Sequence, residues 1–185
     1  MPLIEIRWHG RGGQGIVTVS RLLAQAALID GKYIQSLPEF GPERRGAPVT
    51  GYTRISDEPI LIHSQVYTPG IVVVVDPTLI GKADITKGLS HKGLIVAHSD
   101  KSPKDLKEIL GVKDIGVFTV DAMKIALKVL GRPIYNTAML GALLKASPLV
   151  KMDSLIKVIR ERFPGVLGEK NIMVIKRAYE EAVGI

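Results

Sequence analysis

Five consecutive β-branched residues, Ile71, Val72, Val73, Val74 and Val75, constrain this chain more than any other stretch. Such a run has no polar face to turn to water, so it must be covered on both sides. It is far too short to span a bilayer. A central strand of a sheet with helices above and below meets both conditions. Alternation and β-branching predict further strands over 3–8, 32–37, 49–55, 93–97 and 116–120. Helical periodicity appears over 16–29, 103–110, 122–130, 137–146, 152–163 and 169–182. Strands alternating with helices give an α/β three-layer sandwich, with a largely parallel sheet and helices on both faces. A hairpin around 49–62, with Ile60, Leu61 and Ile62 as its second arm, would make the sheet mixed. At 185 residues, 46% apolar and only 5% aromatic, the chain reads as one domain, 1–185, with an aliphatic core.

The punctuation is local. Asp76-Pro77 and Ser102-Pro103 read as N-cap and first helical residue; Asp76 also ends the central strand, where α/β proteins place ligands, though capping is the plainer reading. Asp121 reads as a cap, and Gly31, Gly111 and Gly131 as helix ends. Pro148 and Pro164-Gly165 stop the helices before them. In the last two helices Leu155, Ile156, Ile159 and Phe163, then Ile172, Ile175 and Tyr179, are expected to face inward.

The first strand runs into Trp8-His9-Gly10-Arg11-Gly12-Gly13-Gln14-Gly15, and a long helix runs out of it. Strand, glycine turn and helix together aim bare backbone N–H groups at an anion. Gly10, Gly12 and Gly15 have dinucleotide-loop spacing. The acid such a site needs after the second strand is not clean: Glu39 sits in a proline-rich loop. A tight turn built only for helix packing is the plain alternative. Arg11 and Gln14 add a cation and an amide, which suits a phosphate or a partner's carbonyl.

Residues 38–48 hold three prolines and the turn Gly41-Pro42-Glu43-Arg44-Arg45-Gly46. Arg44 and Arg45 could clamp phosphate or carboxylate, or pair with Glu39 and Glu43. Asn136 opens a helix, as a cap first and an interface hydrogen-bonder second. His9 reads as a turn histidine that could donate to an anion. The four histidines, His9, His63, His91 and His98, show no metal-ligand spacing.

A formal net charge of +7 favours anionic partners: a nucleotide, a phosphorylated cofactor, nucleic acid or an acidic subunit face. No basic stripe interleaves with aromatics, so nucleic acid is not expected. The chain has no cysteine, which excludes disulfides, cysteine nucleophiles and thiolate-bound Fe–S clusters on it. No signal-peptide pattern opens it and no membrane span is expected, so the expected location is the cytoplasm.

Three stretches in order carry a resemblance: His9-Gly10-Arg11-Gly12-Gly13-Gln14-Gly15, Glu43-Arg44-Arg45-Gly46-Ala47, and Asn136 with Leu140-Gly141-Ala142. They resemble the gamma subunits of the 2-oxoacid:ferredoxin oxidoreductases, nearest to the pyruvate:ferredoxin oxidoreductase type. In some organisms that type also serves a 2-ketoisovalerate enzyme. The likeness covers nearly the whole chain. Ala47 stands where the family usually has glycine.

The resemblance implies a heterotetramer with alpha, beta and delta-type subunits. It implies thiamine diphosphate, Mg²⁺, [4Fe–4S] clusters and coenzyme A, with ferredoxin as acceptor and acetyl-CoA and CO₂ as products. Without cysteine the clusters must sit on another chain. No Gly-Asp-Gly followed by a distant Asn is present, so thiamine should also be held elsewhere. This chain alone is then expected to bind no cofactor, hold no catalytic residue and have no activity. Gly10, Arg11, Gly12, Gly13, Gln14, Gly15, Arg44, Arg45, Gly46 and Asn136 would serve an anion, coenzyme A or an interface. The alternative is a free-standing Rossmann-like nucleotide-binding module.

Overall fold

The computed structural model describes residues 3–38 and 46–185. Arg44 and Arg45, two of the candidate site residues, lie outside the described residues. The strands are β1 (Ile4–Arg11), β2 (Tyr33–Pro38), β3 (Pro48–Ser56), β4 (Ile71–Val74), β5 (Leu94–His98), β6 (Gly116–Val120) and β7 (Val183–Gly184). The helices are α1 (Ile16–Ile29), α2 (Pro103–Leu110), α3 (Ala122–Leu130), α4 (Asn136–Ala146), α5 (Met152–Arg162) and α6 (Val166–Glu181), with a short 3-10 turn at Pro77–Leu79.

The strands form one sheet in the order β2-β3-β1-β4-β5-β6-β7. β1, β4, β5 and β6 run parallel, while β3 is antiparallel to β1 and β2, and β7 to β6. The α/β, mixed-sheet expectation therefore holds. The hairpin arm at Ile60, Leu61 and Ile62 does not: no strand forms over 57–70. β3 already has β1 on one edge and β2 on the other, so it has no edge left to offer. The two-residue β7 is too short to show periodicity and had no sequence signal.

Val72, Val73, Val74 and Val75 are fully buried, so the run is covered on both faces as expected. The larger core joins Ile6, Trp8, Val73 and Val75 to the apolar sides of α1, α3, α4, α5 and α6. The smaller joins Val72, Val74, Ile95, Ala97 and Val117 to Leu79, Ile85 and Leu106. Helices thus lie on both faces, but among the described residues the second face carries only α2 and the 3-10 turn. Local caps behave as read. Ser102 Oγ accepts the N–H of Asp105, Asp121 Oδ1 that of Lys124, and Gly111 and Gly131 take left-handed φ values of 65° and 68°.

Beyond α2 the second face is polar. Arg54, 1% exposed, donates to Glu5 Oε1 at 2.8 Å, Gln35 Oε1 at 3.0 Å and the Gln65 carbonyl at 3.2 Å. Arg7 donates to the carbonyls of Ile85 (3.0 Å) and Lys87 (2.7 Å). Irregular backbone packs here because guanidinium donors satisfy carbonyls that no ladder does.

Helix α6 begins earlier than the expected 169, directly after Gly165, whose φ of 68° turns the chain into it. Tyr179 is 38% exposed rather than buried, and its ring takes Lys145 Nζ at 5.2 Å from the centroid. The small residues of α4 do bring a neighbour close. A Cβ at Gly141 would stand 2.0 Å from the Ile175 carbonyl of α6. Gly141→Ala must therefore push α4 and α6 apart, with a loss of about 1–3 kcal/mol. Urea unfolding followed by the fluorescence of buried Trp8 measures this. An unchanged midpoint would mean the crossing is not tight.

Candidate functional site

The carboxyl ends of β1 and β4 lie side by side. From β1 the chain leaves into α1, on the larger core; from β4 it leaves into the 3-10 turn, on the smaller. Connections that part to opposite faces open a crevice, and α/β proteins hold ligands there.

Gly10 is not part of the turn. β1 continues through it to Arg11, because β3 extends the antiparallel ladder to Arg11 opposite Pro48. Gly10 is a packing glycine, since a Cβ there would stand 2.4 Å from Ile16 Cδ1. The turn proper is Gly12, Gly13, Gln14 and Gly15, with φ of 91° at Gly13 and 75° at Gly15. At Gly15 a Cβ would also meet Asn136 Nδ2 at 2.2 Å.

Three separate stretches meet at this turn. The Gly12 N–H donates to the Ala47 carbonyl (2.9 Å) and the Gly46 N–H to the Gly12 carbonyl (3.1 Å). Asn136 Nδ2 reaches the Gly15 carbonyl at 3.4 Å, 121 positions away in sequence. Asn136 is not the cap of α4: Tyr135 holds that place, and Asn136 Oδ1 accepts from its neighbour Thr137 instead. The side chain is aimed at the turn because α4 packs beside α1.

The side chains of the turn point inward. Gln14 Oε1 accepts the Arg11 N–H at 2.7 Å, and its Nε2 donates to Asp76 Oδ2 at 2.6 Å. Arg11 Nε lies 3.2 Å from the same carboxylate. Its other nitrogens donate to Thr78 Oγ1 (2.8 Å) and the Gly46 carbonyl (3.0 Å). Asp76 is the N-cap the sequence suggested, taking the Thr78 N–H at 2.8 Å, but it is also the centre of the crevice. Burial pushes its carboxyl up. Hydrogen bonds from Thr78 and Gln14, with the Arg11 charge, outweigh that and hold it below the ordinary value.

Thr78, His98 and Tyr135 were missed. The rings of His98 and Tyr135 lie 4.6 Å apart. Burial lowers the pKa of His98, partly offset by the Val120 carbonyl and nearby carboxylates. Burial, then the Asp76 charge, raises that of Tyr135. His98 ends a strand and could have been flagged by that; Tyr135 had only its place beside Asn136. His9 is not a turn residue. It lies in β1 and accepts from Arg7 Nε at 2.9 Å, so it donates to no anion through that nitrogen. Burial and the Arg7 charge lower its pKa to about 4.

The first turn of α1 is uncapped by any side chain, and Val19 is the first residue to bond back, to the Gly15 carbonyl at 3.1 Å. Among the described residues the N–H groups of Ile16, Val17 and Thr18 have no partner. The crevice therefore combines free donors at a helix start with a neutralised Arg11–Asp76 pair. Its strand order departs from a dinucleotide fold: β3 stands between β1 and β2, which moves the β2 end away from the turn.

The model of the pyruvate ferredoxin/flavodoxin oxidoreductase family matches residues 5–181. The chain belongs to this family. Among family members, the pyruvate/ketoisovalerate oxidoreductases common subunit gamma of Pyrococcus furiosus is 50% identical over 97% of each chain. Pyruvate synthase subunit PorC of Methanothermobacter thermautotrophicus is also 50% identical, over 97% of this chain and 96% of its own. The crystal structure of pyruvate oxidoreductase subunit PORC from Thermotoga maritima superposes with a TM-score of 0.89 at 38% identity, covering 100% of this chain and 99% of the other. Like any cysteine-free member, this chain offers no thiolate to a cluster. Among the described residues no group of His, Asp and Glu could hold a metal ion. No helix among them is long and apolar enough to cross a membrane.

Acid should destabilise the fold in two windows. The unfolded chain protonates His9 near its ordinary 6.5, the folded chain only near 4. Stability is therefore lost as pH falls between these values, by roughly 3 kcal/mol. His98 adds to the same slope. Asp76, held below its ordinary 3.8, gives up its contribution only as pH falls further. In urea titrations from pH 8 to 3, His9→Gln should remove its share of the first window and leave the second. A wild-type slope in His9→Gln would contradict this.

Proposed function

We propose that this chain is the gamma subunit of a 2-oxoacid:ferredoxin oxidoreductase acting on pyruvate. Full-length similarity to gamma and PorC subunits carries the reading. The complex decarboxylates the 2-oxoacid oxidatively, passes the electrons to ferredoxin and delivers the acyl group to coenzyme A. Alpha, beta and delta-type subunits supply the thiamine diphosphate, Mg²⁺ and [4Fe–4S] sites, and the complex works in the cytoplasm. The lack of cysteine in this chain supports that division of labour.

The chain's own share is the crevice. The N–H groups of Ile16, Val17 and Thr18, without a partner among the described residues, suit a phosphate of coenzyme A or a carbonyl or carboxylate of a neighbouring subunit. Gly10, Gly12, Gly13, Gly15 and Asn136 shape the turn. Arg11 and Gln14 hold it against Asp76. Arg44 and Arg45 directly precede Gly46, whose N–H and carbonyl are both tied to the turn. They supply the cations that Arg11, already paired, does not.

A tagged chain purified from its source should bring down thiamine- and cluster-bearing chains, and be inactive by itself. Isolation as a lone protein would refute the reading. In the assembled enzyme, Arg44→Ala should raise the KM for coenzyme A about ten- to a hundred-fold, corresponding to about 1.5–3 kcal/mol for a charged hydrogen bond. Unchanged kinetics in an intact complex would take Arg44 out of the site.

A further inference from the structure

Helix α3 turns an unusual face outward. Ala122, Ile125 and Ala126 are buried in the core. Met123 (36% exposed) and Leu127 (48%) face solvent beside Lys124 and Lys128, and the loop after the helix exposes Arg132 and Ile134 (54%). A helix side meant only for water is polar and mixes both signs of charge. Here Met123 and Leu127 form one row and Lys124 and Lys128 the row beside it, with no acidic side chain between them. Residues 122–152 contain no Asp or Glu. None of Lys124, Lys128 and Arg132 has an ion-pair partner among the described residues.

α6 packs against α3, but its exposed side mixes both signs of charge, with Glu169, Glu180 and Glu181 beside Lys170 and Arg177, so the one-signed face is that of α3 and the loop after it. The surface also adjoins the crevice. α3 starts where β6 ends, and the loop that exposes Arg132 and Ile134 delivers Tyr135 and Asn136 to His98 and Gly15.

We propose that the outer face of α3 docks an acidic, apolar-centred surface of a partner subunit of the same oxidoreductase. The proposal rests on the assignment as a gamma subunit. Exposed Met and Leu supply the buried centre such an interface needs, and one-signed cations select and steer an acidic partner. An anionic bilayer is less suited, because a helix of 9 residues that exposes Met123 and Leu127 as its large apolar groups offers little apolar area for interfacial anchoring. Nucleic acid would call for aromatic stacking groups, and the face has none.

The test uses the complex co-expressed with wild-type chain, with the triple variant Lys124→Glu, Lys128→Glu, Arg132→Glu, or with the control Lys104→Glu, Lys113→Glu on and after α2. All substituted positions are exposed, and circular dichroism checks that each chain folds. Titration of each purified chain onto complex lacking it, with native mass spectrometry, reads assembly. The triple variant should bind at least tenfold more weakly, with a shallower salt dependence, and Leu127→Asn should weaken binding without changing the salt slope. The control should match wild type. Wild-type affinity in the triple variant, or an equal loss in the control, overturns the docking face. So does intact assembly combined with charge-dependent binding of the chain to phosphatidylglycerol vesicles. If wild-type chain joins no thiamine- or cluster-bearing subunit, the gamma-subunit assignment itself falls.

Discussion

One carboxylate closes the crevice on which the candidate site depends. Asp76 is 4% exposed and takes donors from Gln14, Arg11 and Thr78. A charge buried to that degree is tolerable only when it is paired and fully hydrogen-bonded. Its partners come from both strands at the switch point, so the same bonds that stabilise the charge fix the glycine turn against the end of β4. Gln14 does most of this joining, with one end of its amide on the Arg11 backbone and the other on the carboxylate. The turn is thereby tied in place by the chain's own hydrogen bonds, and such preorganisation lowers the ordering cost of binding.

The same pairing changes what the turn can bind. With Arg11 committed to Asp76, the side chains of the crevice carry little net charge. What remains are the N–H groups at the start of α1 and the partial positive charge of a helix of 14 residues. Such donors recognise an anion or a carbonyl by geometry more than by charge. A full counter-charge must come from elsewhere; Arg44 and Arg45, its proposed source, directly precede Gly46 in the sequence.

The two faces of the sheet use different chemistry. On one, aliphatic side chains of five helices meet Ile6, Trp8, Val73 and Val75. On the other, beside the small α2 core, Arg7 and Arg54 bind the carbonyls of irregular chain. Breaking such a buried charge contact costs more than removing an exposed ion pair, because the partner is left without solvent or counter-charge. The second face is thus specified by a few polar contacts, where the first is specified by packing.

Much of this was legible in the residues themselves. The central strand, the caps at Ser102 and Asp121 and the glycine ends at Gly31, Gly111 and Gly131 depend on neighbours a few positions away. The absence of cysteine by itself determined that this sequence offers no thiolate to an Fe–S cluster. The three motifs could be identified but not joined. Only the tertiary structure brought Gly46 and Asn136 to the turn, put Gly10 into a strand and turned Gln14 toward a residue 62 positions away. It also denied Ile60, Leu61 and Ile62 a strand and left Tyr179 in solvent. Those outcomes follow from which edges and faces remain open once the other elements have packed. Strand order decides that, and no local run of residues encodes strand order.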